Sequence, residues 1–510
     1  MAATQKTVIV GAGPVGSLAA LYAARRGHEV EVYELRPDLR DPDTVLLNFT
    51  RSINLAISER GINAMRNSGF PGLLVDVLAT ALPMRGRMIH GQKPDGQLYE
   101  ESQDYDPFGR TIFSMDRTIL NKALLDELEK QPNVKIFFNH KLTGVDFRKR
   151  EAWFEVKDPS AEKGDRREVH VDFDFLIGAD GAHSATRYHL MKFTRMNFQQ
   201  EYVDTMWCEF RIDPLEPEAG GDSKPKFAIS PGHLHIWPGK DFMFIAIPSE
   251  DGSFVCTLFL PGAEFAKLEA QPATLPEFFD RHFPGVTGLI GPSQLVESFE
   301  KNPHLPLVSI KAKPYHFGSS AVIIGDAAHA MVPFYAQGLN CGMEDVRILF
   351  SILDKHAKLA EDNSPDESCD ISALRASHRA AALNEYTQVR VPDAHVVNDL
   401  ALQNYVEMRA SVLSRTYLLR KWLEEQVSIH LPALGWKTRY MRISFGNERY
   451  SDVLRKTEHQ GRVLVRAMTA IIASPLVLGA FALWTRRWQG GNPGSVMGSV
   501  LGCVRRALAG

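Results

Sequence analysis

The chain lacks the features typical of secreted, metal-binding or nucleic-acid-binding proteins. Only five of its 510 residues are cysteine, and none forms a CxxC pair, so we expect reduced thiols, a cytosol-facing protein and no structural metal. A net charge of -3 and a pI near 6.6 give no basic excess suited to nucleic acid. The N-terminal apolar run is short and leads straight into a motif, so we expect no secretory signal.

A strand, a glycine-rich turn and a helix stand near the start of the chain. Gly11, Gly13 and Gly16 follow the apolar residues 8–10, and a second strand over 29–33 ends on Glu34. An acidic residue about 20 positions beyond GxGxxG completes a dinucleotide fingerprint. The glycines would let the backbone approach a pyrophosphate at the helix N-terminus, and Glu34 could accept from adenosine ribose hydroxyls. Arg36 either adds a charge near the ribose or is an ordinary solvated residue.

A Gly-Asp turn marks the stretch around which the chain is organised. The apolar run 321–324 predicts a buried strand, and Asp326 follows it where open α/β sheets bind ligands. Asp326 is therefore placed to hold a ribityl or ribose hydroxyl. The residues 337–340 lead into a helical pattern whose N-terminus should point back at Asp326 and stabilise negative charge. His329 resembles a general base, but its place beside the turn favours a structural role.

Two further segments lie between these motifs. The apolar residues 173–177 predict a strand that ends in a second acidic turn, at Asp180. From 201 to about 259, short apolar strands alternate with Gly/Pro turns. We interpret this region as a separate sheet inserted into the nucleotide domain, forming a wall of a substrate pocket.

The residues 83–99 predict a β-hairpin. A strand over 83–90 precedes a turn at 94–96, and the chain returns through Tyr99. We expect this hairpin to bring Arg85 and Tyr99 together, so that a guanidinium and a phenol could hold a carboxylate. The same residue types also occur as ordinary surface decoration of hairpins.

The C-terminal third changes character twice. After an acidic linker over 361–370 the pattern is helical to about 466, and the residues 467–484 then contain no charge and are flanked by arginines. This run predicts membrane contact, with a buried core helix as the alternative. The residues 494–509 fit a weaker membrane-lying or packing helix.

In this order, the three glycine and aspartate motifs resemble the FAD signatures of the single-component flavoprotein aromatic hydroxylases. The stretches RSINLAIS (51–58), PMRGRMIH (83–90), PFYAQGLN (333–340) and NYVEMRA (404–410) resemble the members that hydroxylate L-kynurenine. The resemblance implies bound FAD, transient NADPH, O2, a flavin hydroperoxide, and a step of tryptophan catabolism and NAD biosynthesis. It also implies the mitochondrial outer membrane, reached through about 463–510, with the catalytic part facing the cytosol.

The resemblance also implies roles for particular residues. Substrate contacts fall on Arg85, Tyr99, Asn404 and Tyr440. Cofactor contacts fall on the fingerprint glycines, on the strand end after β-strand 29–33 and on later positions: Gly11, Gly13, Val15, Gly16, Tyr33, Glu34, Leu35, Arg36, Ala56, Arg117, Leu142, Asp180, Asp326, Leu339 and Asn340.

These observations predict an α/β fold: a Rossmann-like FAD-binding domain with an inserted, mostly antiparallel substrate sheet and a C-terminal helical region. The predicted parts are 1–200 and 296–360 for FAD, with the hairpin at about 83–100, 201–295 for the sheet, 373–462 for the helices and 463–510 for the tail. Two alternatives stay open. One is an FAD-dependent epoxidase or reductase of an apolar substrate, and the other is a non-enzymatic FAD-containing membrane scaffold.

Overall fold

The computed structural model describes residues 5–41, 44, 54–157, 167–216, 226–362 and 371–488, with side chains described up to 359 and from 373 to 470. The chain divides into two compact units, Met1–Val453 and Leu454–Gly510. All residues of the candidate site belong to the first unit. The described part of the second unit is helical.

The described strands, numbered along the chain, are β1 (Lys6–Val10), β2 (Glu29–Tyr33), β3 (Asn54–Ile57), β4 (Leu82–Met84), β5 (Gly86–Gln92), β6 (Leu98–Asp104), β7 (Ile112–Asp116), β8 (Val134–Phe137), β9 (His140–Asp146), β10 (Glu151–Val156), β11 (Arg167–Asp172), β12 (Phe175–Gly178), β13 (Asn197–Ile212), β14 (His233–Pro238), β15 (Met243–Pro248), β16 (Phe254–Leu260), β17 (Leu305–Lys313), β18 (His316–Phe317) and β19 (Ala321–Ile323).

The described α-helices are α1 (Pro14–Arg25), α2 (Glu59–Arg66), α3 (Pro71–Ala79), α4 (Arg117–Glu129), α5 (Ala185–Phe193), α6 (Gly262–Ala270), α7 (Leu275–His282), α8 (Val286–Ile290), α9 (Pro292–Lys301), α10 (Asp326–His329), α11 (Gly338–Asp362), α12 (Ile371–Arg409), α13 (Arg415–His430), α14 (Arg439–Ser444) and α15 (Tyr450–Trp488).

The nucleotide region is built on a six-stranded sheet in the order β18-β19-β12-β1-β2-β8. β1 is parallel to β2 and β12, and β19 is parallel to β12, as a doubly wound fold requires. These strands are largely buried, and they form one core with α1, α11 and apolar residues of β9, β10 and β11. The parallel order brings the three glycine and aspartate motifs to the same edge of the sheet.

The predicted substrate sheet is present and larger than expected. It has seven strands in the order β17-β13-β16-β15-β14-β5-β6. The hairpin β5–β6 joins it through parallel pairing of β5 with β14. β17 pairs with β13, although the sequence boundary at 296 placed it in the FAD-binding part. That boundary missed the long return strand, which closes this sheet before the chain re-enters the nucleotide region.

The C-terminal helices agree with the helical prediction. α12 runs unbroken for 39 residues with Pro392 inside it, and α13 follows. Cys208, Cys256 and Cys341 are free and buried, while Cys369 and Cys503 lie outside the described residues. Of the acidic linker, 361–362 belong to the end of α11 and 363–370 lie outside the described residues, as does the tail from 489.

Candidate active site

The glycine-rich turn between β1 and α1 is tightly constrained, with one open position. A Cβ on Gly11, whose φ is +100°, would lie 2.6 Å from the Ala179 carbonyl oxygen, and a Cβ on Gly16 would lie 2.0 Å from the Gly11 carbonyl oxygen. A Cβ on Gly13, the residue before α1, would meet nothing within 4 Å. The free N–H groups of α1 therefore begin beside open space, which fits a pyrophosphate.

Glu34 is aimed back at this turn. Its Oε2 accepts from the Ala12 N–H at 2.7 Å, and its Oε1 accepts from the Arg36 N–H at 3.0 Å. A carboxylate has about four acceptor positions, so Glu34 retains capacity for ribose hydroxyls. Leu35, next to it, is exposed.

Asp326 follows β19 and is the first residue of α10. Gly325 precedes it with a φ of +59°, a backbone conformation that favours glycine. A Cβ on Gly338, the first residue of α11, would lie 4.0 Å from Asp326 Oδ1. The helix N-terminus therefore adjoins Asp326, as predicted. Desolvation lowers the pKa of Arg117, and the charges of Asp326 and Glu34 oppose that shift.

The side chain of Asn340 connects β3 to the start of α11 beside the cleft at Asp326. Its Oδ1 accepts from the Ser58 N–H at 2.8 Å, and its Nδ2 donates to the carbonyls of Ala56 and Ala336, both at 2.7 Å. The side chain is fully buried. Asn340 therefore fixes β3 against the start of α11, and its amide is occupied by protein partners.

Three predicted cofactor residues have side chains that are committed elsewhere. Tyr33 stacks on Phe154 at 4.0 Å between ring centroids and donates to Glu31, so its side chain does not face the cleft. Asp180 accepts from the Ser184 hydroxyl at 2.6 Å and from the Thr186 N–H at 2.8 Å, which caps α5. Leu142 is buried in the core. These three side chains have protein partners or lie in the core, and a cofactor contact at these positions stays a prediction.

The remaining predicted positions lie close to the cleft. Val15 packs on Gly325, whose added Cβ would lie 3.2 Å from Val15 Cγ1, and on Gly342 of α11, whose added Cβ would lie 2.7 Å from Val15 Cγ2. Leu339 is half-buried in the first turn of α11. These contacts keep the start of α1 close to the start of α11.

A buried ionic cluster lies beneath the cleft. Arg390 pairs with Glu344 at 2.9 Å and with Asp345, while Arg60 pairs with Glu344 at 2.6 Å. His329 Nε2 lies 2.6 Å from Asp345 Oδ2. His329 is completely buried in this cluster, which agrees with its predicted structural role.

Part of the same cluster resembles a metal site. Ligand atoms of His329, Cys341 and Asp345 lie within 4.8 Å of one another. However, the Arg390 guanidinium contacts Asp345 and also lies 3.0 Å from Cys341 Sγ. A fixed organic cation already supplies the positive charge there.

The strand register separates Arg85 from Tyr99. In the β5–β6 hairpin Gly91 pairs with Tyr99, whereas the Arg85 carbonyl accepts from the Tyr105 N–H at 2.9 Å. Six residues of strand, roughly 20 Å, therefore lie between the two predicted partners. Arg85 is exposed, and its Nε lies 3.2 Å from His233 Nε2. The predicted clamp of Arg85 and Tyr99 is wrong.

The buried guanidinium of this hairpin belongs to Arg87. Only 6% of it is exposed, and it donates to Glu407 at 2.9 Å and to the Asn404 side-chain oxygen at 3.3 Å. Its Cζ lies 5.4 Å from the centroid of the Tyr440 ring. Asn404 and Tyr440, both predicted substrate contacts, are thus brought together around Arg87.

Two more phenols complete this cluster. Tyr105 stacks on Tyr440 with 4.6 Å between centroids and 11° between planes. Tyr417 of α13 donates to Glu407 at 2.8 Å. Asn404 also donates to the Phe334 carbonyl at 2.6 Å, which joins the cluster to the loop that leads into α11. The Arg87 cluster is therefore connected through Asn404 to the loop before α11.

Burial and charge set the protonation states here. Burial alone would lower the pKa of Arg87, but the adjacent Glu407 raises it overall. Burial would raise the pKa of Glu407, yet Arg87 lowers it overall. Burial raises the pKa of Tyr105 and of Tyr440. At neutral pH this is an ion pair surrounded by neutral phenols that can donate hydrogen bonds.

Sequence reasoning missed Arg87, Tyr105, Glu407 and Tyr417. One signal was available, because Asn404 and Glu407 are three residues apart on α12 and so share a face. The choice between Arg85 and Arg87 required the hairpin register. Tyr105 and Tyr417 had no signal, because neither lies in a recognisable motif.

Comparison with known proteins agrees with this geometry. The family described as FAD binding domain matches residues 4–367. The p-nitrophenol 4-monooxygenase PnpA from Pseudomonas putida DLL-E4 has a similar fold, with a TM-score of 0.57 and 19% identity over 85% of this chain and 98% of its own. The glycine turn, the Asp326 cleft and these matches define an FAD-binding protein with the fold of a flavoprotein monooxygenase.

Closer relatives narrow the class. Kynurenine 3-monooxygenase from Neurospora crassa is 63% identical over 490 residues, which cover 94% of this chain and 93% of the relative. The enzyme of the same name from Chaetomium globosum is 63% identical over 470 residues, covering 91% and 96%. The chain therefore belongs to the kynurenine 3-monooxygenase family.

Proposed function

We propose that the protein hydroxylates L-kynurenine to 3-hydroxykynurenine, using FAD, NADPH and O2. The observation that carries the proposal is the buried Arg87, joined through Asn404 to the loop before α11. A buried cation beside an FAD cleft suits an aromatic substrate that ends in a carboxylate. The family relationship supports the same substrate.

The chain's own residues fit FAD. The open space at Gly13 and the N-terminus of α1 would accept the pyrophosphate, Glu34 the adenosine ribose, and Asp326 a ribityl hydroxyl. The N-terminus of α11 would stabilise negative charge on the reduced ring. FAD, when bound, supplies the redox chemistry that activates O2 for transfer of one oxygen atom to the substrate.

Arg87 would bind the substrate carboxylate. A guanidinium has five N–H donors, and Glu407 and Asn404 take two of them. The neutral phenols of Tyr105 and Tyr440 can donate to the same carboxylate. The aromatic ring of the substrate is activated by its own amine, so it needs no general base, and His329 is held by Asp345. Orientation and exclusion of water would then dominate the contribution of the protein.

NADPH would bind only transiently. The sequence has a single dinucleotide fingerprint, and the proposed FAD site uses it. The chain therefore offers no second fingerprint to retain NADPH, which would supply the electrons for the bound flavin.

The proposed location is the mitochondrial outer membrane, with the first unit on the cytosolic side. The uncharged run 467–484 between arginines supports it. No helix among the described residues is long and apolar enough to cross a membrane. Most of that run lies beyond residue 470, where side chains are not described. Neither the backbone nor the side chains of 489–510 are described.

The test is to purify the full chain with its yellow chromophore and to follow NADPH oxidation with and without L-kynurenine. We expect substrate-stimulated oxidation and a product heavier by one oxygen atom. Unstimulated NADPH consumption with no product would favour the FAD-containing scaffold. Turnover of an apolar alkene, with none of L-kynurenine, would favour the epoxidase or reductase, an alternative that the buried charge of Arg87 opposes.

A further inference from the structure

Helix α13 exposes an apolar face to solvent. Leu419, Trp422 and Ile429 are 50%, 54% and 40% exposed, and their spacing of three and seven residues places them on one side of the helix. Leu431 and Leu434, in the turn after the helix, are 52% and 63% exposed. We call these five residues the α13 surface. Single exposed apolar residues are ordinary, but several on one side of a helix and in the turn that follows it indicate a contact.

The opposite side of α13 is polar and faces the protein. Tyr417 donates to Glu407 at 2.8 Å, and Lys421 Nζ donates to the Asp104 carbonyl at 3.1 Å. Ser428 is the buried residue of the helix. A surface helix of a soluble protein normally has the reverse arrangement. Stability of the fold does not explain the exposed leucines and tryptophan, because the packed side of the helix is held by polar contacts.

The charge of this region favours an anionic partner. Residues 411–439 contain five Lys or Arg and two Glu, although the whole chain has a net charge of -3. Arg415, Arg420 and Lys437 are exposed around the apolar residues. Apolar residues that include a tryptophan, bordered by cations, are the composition of a helix that lies in the interface of an anionic bilayer.

We propose that the α13 surface lies on an anionic lipid membrane, with Trp422 at the depth of the headgroups. A second copy of the chain is a poorer occupant, because a two-fold contact would bring the same excess of cations together from both sides. The surface belongs to the first unit, and in the sequence it precedes the run 467–484. The proposal therefore stands apart from the reaction and from the predicted tail.

The test uses the full chain, loaded with FAD, and vesicles of phosphatidylcholine and phosphatidylserine. The acyl chains of these lipids are brominated and quench nearby tryptophan. The chain has seven Trp, so wild type is compared with Trp422→Phe. The difference isolates Trp422, because tail tryptophans contribute equally to both. We expect the Trp422 signal to be quenched about twofold or more on anionic vesicles. An unquenched Trp422 signal on protein that is bound to the vesicles overturns the proposal.

A second pair of variants separates lipid contact from self-association. Leu419→Gln with Ile429→Gln should reduce the quenching of Trp422, whereas Val75→Gln with Leu98→Gln, exposed residues elsewhere at 68% and 52%, should leave it unchanged. FAD absorbance confirms that each variant is folded. If the first pair instead converts a detergent-solubilised dimer to a monomer and leaves the quenching intact, the surface binds a second copy and the proposal is wrong.

Discussion

Arg87 is a buried charge whose partner, Glu407, determines the effect of its removal. The pair is 2.9 Å apart, with 7% and 31% of the two side chains exposed. Loss of one member of such a pair leaves the other uncompensated in a largely dry environment. A substitution at Arg87 therefore combines loss of substrate binding with a cost to stability, and the two effects must be measured separately.

We expect Arg87→Ala to lower kcat/KM for L-kynurenine by roughly 30- to 1000-fold, or about 2–4 kcal/mol, because a charge-assisted contact to the carboxylate is lost. Arg87→Lys should recover only part, since an ammonium lacks the planar fork. Arg85→Ala is the matched control and should change kcat/KM by less than about threefold, because this side chain is exposed.

The decarboxylated amine of L-kynurenine shows whether Arg87 acts through the substrate carboxylate. Arg87→Ala should penalise L-kynurenine more than the amine, while FAD content stays at wild-type level. If the two compounds lose activity equally, Arg87 does not act through the carboxylate. A larger loss for Arg85→Ala than for Arg87→Ala would restore the interpretation made from the sequence.

Gly13 offers a test of the FAD cleft that leaves the protein interior untouched. A Val at this position meets no protein atom near its Cβ but would occupy the space beside the α1 N-terminus. We expect Gly13→Val to yield folded, colourless protein, and Asp326→Ala to lose much of its flavin. Gly72→Val is the control, because a Cβ there also meets nothing within 4 Å. Flavin absorbance checks all three, and stoichiometric FAD in Gly13→Val contradicts the assignment.

At the scale of elements, the sequence predicted most of the framework because the relevant signals are local. β1, α1 and β2 follow from a strand, a glycine turn and a second strand, and β14 to β16 follow from apolar runs between turns. The pairing of β5 with β6 is different. Its register is not visible in the sequence, so a hairpin predicted correctly in outline did not show that Arg87, rather than Arg85, is buried beside Asn404.

Long-range pairing explains what else the sequence could not show. β17 pairs with β13 across about 100 residues of intervening sequence, and no local pattern shows which sheet it joins. Tyr33 lies at a strand end, and whether its side chain faces the cleft or the core depends on the β10 residue Phe154. Its proximity to Glu34 in the sequence could not reveal this.

The start of α15 is tied to the loop before α11, which gives an element-scale prediction. Tyr450 is fully buried and donates to the Gln337 side-chain oxygen at 2.9 Å. Tyr450→Phe should lower the free energy of unfolding by about 1–3 kcal/mol, because the Gln337 acceptor is left unsatisfied. Tyr202→Phe, at an exposed hydrogen bond, should cost less than about 0.5 kcal/mol. Urea unfolding, monitored by flavin fluorescence, measures the loss of unfolding free energy in each variant. Equal losses in the two variants would show that the buried hydrogen bond of Tyr450 contributes nothing extra.

The histidines of the substrate sheet predict a pH dependence of stability. Burial lowers the pKa of His90 to about 3 and that of His235 to about 4, and His90 Nε2 lies 2.7 Å from His235 Nδ1. The unfolded chain takes up protons near pH 6.5 and the folded chain does not, so stability is fully present above that pH and falls towards pH 4. Each such histidine contributes a slope of up to about 1.4 kcal/mol per pH unit.

His90→Phe isolates one of these contributions. Between about pH 6 and 5 its free energy of unfolding should fall less steeply than that of wild type, by about 1.4 kcal/mol per pH unit. His430→Phe, an exposed histidine on α13, should leave the slope unchanged. Parallel pH profiles for wild type and His90→Phe would show that His90 titrates normally in the folded protein.

At the scale of the whole molecule, two parts of the chain are proposed to bind lipid through different interactions. The run 467–484 has 18 uncharged residues and would bind through hydrophobic transfer, which salt does not weaken. The α13 surface combines five exposed apolar side chains with cations and would bind partly through charge, which salt screens. Ionic strength therefore separates the two contributions.

The last prediction follows from this difference. Removal of the residues from Val463 onward should move the protein from the membrane pellet to the soluble fraction in about 0.5 M salt, where the Debye length falls below roughly 5 Å. In low salt the truncated protein should still bind anionic vesicles weakly, and Leu419→Gln with Ile429→Gln should abolish that residual binding. Bound FAD shows that the truncated chain is folded. If it still pellets in high salt while it retains FAD, the principal attachment lies in the first unit, and the tail is not the anchor.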